Sequence, residues 1–67
     1  MKIKYNNQQI EIDDKLMLST FVFSQIGEKT NGVAVAVNNS VIPKTNWEVV
    51  EIQPNDNILL IKATQGG

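Results

Sequence analysis

The chain is 67 residues long, 42% hydrophobic and 19% charged, with a formal net charge of -1. That length makes one domain, and its apolar content suits a compact globule better than a disordered chain. With neither cysteine nor histidine in the sequence, a disulfide framework, a thiolate metal site, a nucleophilic thiol and the commonest general base are all excluded.

Ile3 and Tyr5 alternate with Lys2 and Lys4, the period of a half-buried strand. Asn6-Asn7 supplies residues that tolerate the left-handed backbone of a tight turn, and Ile10 and Ile12 alternate behind it. A hairpin follows, with Ile3, Tyr5, Ile10 and Ile12 on one face. Leu18, Phe21, Val22 and Ile26 then mark one stripe of a helix over roughly residues 17–26. Gly27 suits the position past its end, and Asp14 and Ser19 are both capable caps at its start. Phe23 lies off the stripe.

Glu28 to Gly32 reads as a polar loop. Val33 to Val37 is a strand of alternating large and small residues, so its valines should face the helix. Asn38-Asn39-Ser40 turns the chain into a short strand, Val41-Ile42, stopped by Pro43. Trp47, Val49, Val50 and Ile52 show no clean period and predict irregular structure wrapping the core. After a turn at Pro54 to Asn57, Ile58-Leu59-Leu60-Ile61 is apolar at every position, as in a central strand. Such a run is far too short to span a bilayer, and no apolar segment of signal-peptide length follows Met1 to Tyr5. No membrane partner is expected, the cytoplasm is the expected compartment, and the lack of a basic stripe argues against nucleic acid.

The order is hairpin, helix, strand, short strand, last strand. It predicts an α+β fold, a mixed sheet of four or five strands with one helix across a face. The first and last strands can lie parallel, because the connection between them is long enough to cross over.

That order, ending in Gly66-Gly67, resembles the β-grasp fold of ubiquitin and the bacterial sulfur carriers. Within that group the chain is similar to the ThiS family of thiamin thiazole biosynthesis. The resemblance rests on Met1 to Asn6, on Val35 to Lys44 followed by Trp47, and on Gly66-Gly67. Val37-Asn38, Ile42-Pro43-Lys44 and Trp47 carry its most specific pattern. Where the family usually has Gly-Asp before the last strand, this chain has Asn55-Asp56. Asparagine is the next-best residue for positive φ, so the turn should survive. The helix is also more aromatic and less acidic than is usual in the family.

The resemblance implies a β-grasp domain over residues 1–63 and a flexible tail over 64–67. It implies that a ThiF-type adenylyltransferase uses Mg-ATP to adenylate the Gly67 carboxylate. A sulfur donor protein then yields a thiocarboxylate, and a ThiG-type thiazole synthase accepts the sulfur. The chain is then a protein substrate and not an enzyme, binding no cofactor itself. Gly66 gives access, because a residue without Cβ lets the backbone enter a narrow channel, and Thr64-Gln65 forms the lead. Four extended residues reach at most roughly 13–14 Å, enough to place Gly67 in another protein's active site. Neither Gly27 nor Gly32 belongs to a phosphate-binding loop that would let the chain activate itself. Three other roles compete: a sulfur carrier for another pathway, of the molybdopterin type, a ubiquitin-like protein modifier, or a plain interaction module whose glycines are idle.

Ala34, Ala36, Leu59 and Ile61 should share the sheet face opposite the helix. Four apolar residues on one open face form a patch of the kind that marks a protein interface, here beside the exit of the tail. Trp47 reads as core or as a cover over the sheet edge, and Asn38 and Asn39 as turn residues. Asp13, Asp14 and Asp56 are scattered, form no metal-ligand cluster, and read as solvated loop and cap residues.

Overall fold

In the computed structural model, which describes residues 1–62, the elements run β1 (Lys2–Tyr5), β2 (Gln8–Glu11), α1 (Leu18–Ile26), β3 (Val33–Val37), β4 (Ser40–Ile42), a 3-10 turn (Lys44–Asn46) and β5 (Asn57–Lys62). The strands form one mixed sheet in the order β2-β1-β5-β3-β4. β1 and β5 are parallel, and every other neighbouring pair is antiparallel. The apolar strand thus occupies the centre, where both faces carry side chains.

Strand alternation sorts those side chains. Ile3, Val35 and Ile58 point to the helix side and are fully buried with Leu18, Phe21 and Val22 of α1. Val33, Val37 and Leu60 pack around them, as do Tyr5, Ile10 and Ile12 of the hairpin. The Tyr5 and Phe21 rings meet edge to face with centroids 5.1 Å apart, a favoured aromatic geometry. Burial pushes the Tyr5 hydroxyl above its ordinary pKa. The irregular stretch closes the core through Trp47 and Ile52, and the indole Nε1 donates to the Ile42 carbonyl at 2.9 Å. Phe23 stands 60% exposed, as its place off the stripe predicts.

Gly27 ends α1 at φ +66°, and its N–H donates to the Phe23 carbonyl at 2.7 Å. The start differs from expectation. Met17 is the N-cap and makes no side-chain cap bond. The first helical donors go instead to the irregular segment: Leu18 N–H to the Val50 carbonyl at 2.8 Å and Ser19 N–H to the Trp47 carbonyl at 2.9 Å. Backbone oxygens so placed satisfy donors that a cap would otherwise serve. Asp14 takes the amino terminus of Met1 at 3.3 Å.

Asn6 and Asn7 have φ of 49° and 70°, and Asn38 and Asn39 of 52° and 71°. Positive φ at both central residues is the backbone of a type I′ hairpin turn, which matches strand twist. The first asparagine of each turn also grips β5. Asn6 Oδ1 accepts from Leu60 N–H, and Asn38 Oδ1 from Asn57 N–H, each at 2.9 Å. The central strand is therefore held by side chains from both flanking hairpins. Asn55 adopts φ 68°, so the turn before β5 survives without glycine.

Asp56 is buried and not solvated, contrary to expectation. Its Oδ1 accepts from Asn38 Nδ2 at 2.9 Å and its Oδ2 from Gln53 N–H at 2.8 Å. A carboxylate with two donors can leave water at modest cost, and here it ties the β3–β4 turn to the start of β5.

Candidate functional site: the end of β5 and the open sheet face

The candidate site begins where β5 ends. Thr64, Gln65, Gly66 and Gly67, together with Ala63, lie outside the described residues. Lys62 is the last residue described, and β3 pairs with β5 up to that point, Val33 opposite Lys62. The last described residues of β5 are thus held by a full antiparallel ladder. Any group carried beyond them starts from a fixed position.

On the face away from the helix, the four residues expected to form a patch fall into two cross-strand pairs. Ala34 lies opposite Ile61, and Ala36 opposite Leu59. Ile61 is 53% exposed, Ala34 is exposed and Leu59 half-buried. Ala36 is only 7% exposed, so it forms the floor of the patch and not its surface. β4 adds a residue that was not anticipated: Val41 pairs with Ala36 and is 68% exposed. Its signal was present, since Val41 stands next to Ile42 in a two-faced strand, but only the register with β3 reveals which face it takes.

The open face is divided by polarity. Alternation puts Lys2 and Lys4 of β1 and Gln9 and Glu11 of β2 on this side, all exposed. The apolar residues occupy the β5–β3–β4 half. An apolar field bounded by charge on one side gives a docking partner both contact area and a register. Ile61 and Ala34 sit nearest the end of β5; Leu59 and Ala36 lie about 7 Å behind them.

Among the described residues no group of three or more His, Cys, Asp or Glu side chains could hold a metal, and no helix is long and apolar enough to cross a membrane. Trp47 is buried in the core, so its indole has no face for a ligand. The described residues offer a platform with an apolar face whose central strand, β5, leads into residues 63–67. Among the described residues, no acid, base and nucleophile are gathered around a cavity.

A family model for the ThiS family matches residues 3–67. The chain belongs to the ThiS family. The sulfur carrier protein ThiS of Escherichia coli (strain K12) is 27% identical over 67 residues, the full length of both chains. The crystal structure of the thiamine biosynthesis protein ThiS from Geobacter metallireducens superposes with a TM-score of 0.85. That likeness covers all of both chains at 16% identity, and it shows the β-grasp fold.

Proposed function

We propose that this ThiS-family chain carries sulfur as a thiocarboxylate on Gly67. The sulfur-carrier role in thiamin biosynthesis follows from family membership, and partner enzymes of that pathway follow with it. The finer reading has a ThiF-type adenylyltransferase dock on the patch of Ala34, Leu59, Ile61 and Val41, floored by Ala36. There the Gly67 carboxylate attacks the α-phosphate of Mg-ATP, releasing pyrophosphate and leaving an acyl-adenylate. Sulfide-level sulfur supplied by a sulfur donor protein attacks the carbonyl, its C–S bond forming as the C–O bond to AMP breaks, to give the thiocarboxylate, and a ThiG-type thiazole synthase receives the sulfur. This chain then acts as substrate and contributes no catalytic group. The cytoplasm is the proposed setting, because activation consumes ATP.

One observation carries the reading: the apolar half of the open face runs along β5 to the residues from which Thr64-Gln65-Gly66-Gly67 continue. A partner seated on that face has the carboxylate within reach, at most roughly 17–18 Å for the five residues past Lys62. Adding one residue after Gly67 tests this. It displaces the carboxylate by roughly 3.5 Å, and an ångström-scale misplacement already costs about a hundredfold in rate. Pyrophosphate release with the adenylating enzyme should fall at least that far while the fold is unchanged. Gly66→Val should be nearly as harmful and Gln65→Ala mild. Normal turnover by the extended chain, still untrimmed by mass, would overturn the reading.

A further inference from the structure

β2 is an outer edge of the sheet, remote from the patch. In the hairpin, Met1 and Ile12 exchange both backbone bonds, Met1 N to the Ile12 carbonyl at 2.6 Å and Ile12 N–H to the Met1 carbonyl at 2.9 Å. Antiparallel pairing alternates, so Ile3–Ile10 and Tyr5–Gln8 are likewise bonded pairs. The N–H and C=O groups of Gln9 and Glu11 therefore point outward from the edge of the sheet. Beside that edge, between β2 and α1, runs a groove of about 400 Å³. Its floor is Ile10, Ile12, Leu16 and Phe21, and no basic residue lines it; Asp13 and Glu11, whose side chain turns to the open face across from Lys2, stand at its outer rim.

We infer that this groove binds an extended peptide segment with alternating aliphatic side chains and basic flanks, which adds a strand to β2. Outward backbone groups complement an extended main chain, and alternate side chains of an added strand point to one face, here the groove. The acidic rim selects the flanks. It also disfavours a second copy, because pairing two β2 edges brings Glu11 and Asp13 of each near those of the other. The chain's own Thr64-Gln65-Gly66-Gly67 has no aliphatic side chain to fill the groove beyond a threonine methyl, and its carboxylate would meet the acidic rim. The groove lies on the helix side and the outer edge, whereas the patch is on the opposite face of β5, β3 and β4. Both surfaces can be occupied together, and this inference stands without the tail chemistry.

The test is an NMR titration of the isotope-labelled full chain with the peptide acetyl-Lys-Val-Thr-Ile-Thr-Val-Lys-amide. Saturable shifts should centre on the amides of Gln9 and Glu11 and on Leu16 and Thr20 across the groove, with slowed amide exchange at Gln9 and Glu11. The same peptide with aspartate at both ends should bind about tenfold more weakly at low salt. Replacing its central Thr-Ile-Thr by three prolines should abolish binding, because proline cannot donate to the ladder in either strand direction. Glu11→Lys should narrow or reverse the preference between the two flanks. Shifts centred on Leu59 and Ile61, equal binding of both flanked peptides, no saturable shift at millimolar peptide, or a dimer of this chain occupying the β2 edge would each overturn the inference.

Discussion

Replacing Asp56 by alanine probes the one buried carboxylate among the described residues. Its oxygens serve two donors, Asn38 Nδ2 at 2.9 Å and Gln53 N–H at 2.8 Å. A buried donor left without its acceptor costs about 1–3 kcal/mol. Asn38 and Gln53 are both exposed elsewhere, so water recovers part of each bond. The sum should fall at about 2–3 kcal/mol, a large share of the roughly 3–10 kcal/mol expected for a chain of this length. Urea denaturation followed by circular dichroism reads the loss as a lower midpoint at unchanged slope. Because Asn38 is one of the two partners, Asn38→Ala and Asp56→Ala should couple by about 1 kcal/mol in a double-mutant cycle. A loss below about 0.5 kcal/mol, the range of an ordinary surface substitution, would refute the reasoning. So would strict additivity.

Phe21→Ala should cost about 3–5 kcal/mol in the same denaturation assay, because Phe21 is 2% exposed, whereas Phe23→Ala should stay within about 0.5 kcal/mol. Leu59→Glu should leave the fold intact and weaken the adenylating enzyme's binding by about tenfold or more in a titration, since the charge would be desolvated in an apolar contact. Tyr5 predicts an alkaline limb of stability. Its folded pKa lies above the ordinary tyrosine value, so the contribution is full below about pH 10 and is lost as pH rises through the folded pKa. Denaturation midpoints measured across that window should fall more steeply for the natural chain than for Tyr5→Phe.

The main elements were legible because their periods are clean. Alternation at Ile3 and Tyr5 and at Val33 to Val37, and the stripe from Leu18 to Ile26, each place apolar residues on one face. The unbroken run at Ile58 to Ile61 marked the central strand for a different reason, apolar side chains on both faces. What escaped depends on partners distant in sequence. Nothing local to Asp56 reveals that Asn38, 18 residues away, donates to it. The helix start was legible to within a residue, but neither Asp14 nor Ser19 caps it, because its donors are met by backbone carbonyls of Trp47 and Val50, which no side-chain preference advertises. That Ala34, Ala36, Leu59 and Ile61 share one sheet face was legible from strand parity. The burial of Ala36 and the addition of Val41 needed the register of β3 with β4. Asn6 and Asn38 were read as turn formers, which they are, but their grip on β5 is a tertiary contact.

The central claim is that Gly67 carries the sulfur, and intact mass tests it most directly. The full chain is incubated with a ThiF-type adenylyltransferase, Mg-ATP and a sulfur donor, then weighed and fragmented. The account predicts a gain equal to sulfur replacing one oxygen, confined to the fragment ending in Gly67 and absent when ATP is withheld. A chain that gains no such mass while the adenylating enzyme is active on a known carrier, or that gains it on a fragment without Gly67, would contradict the account.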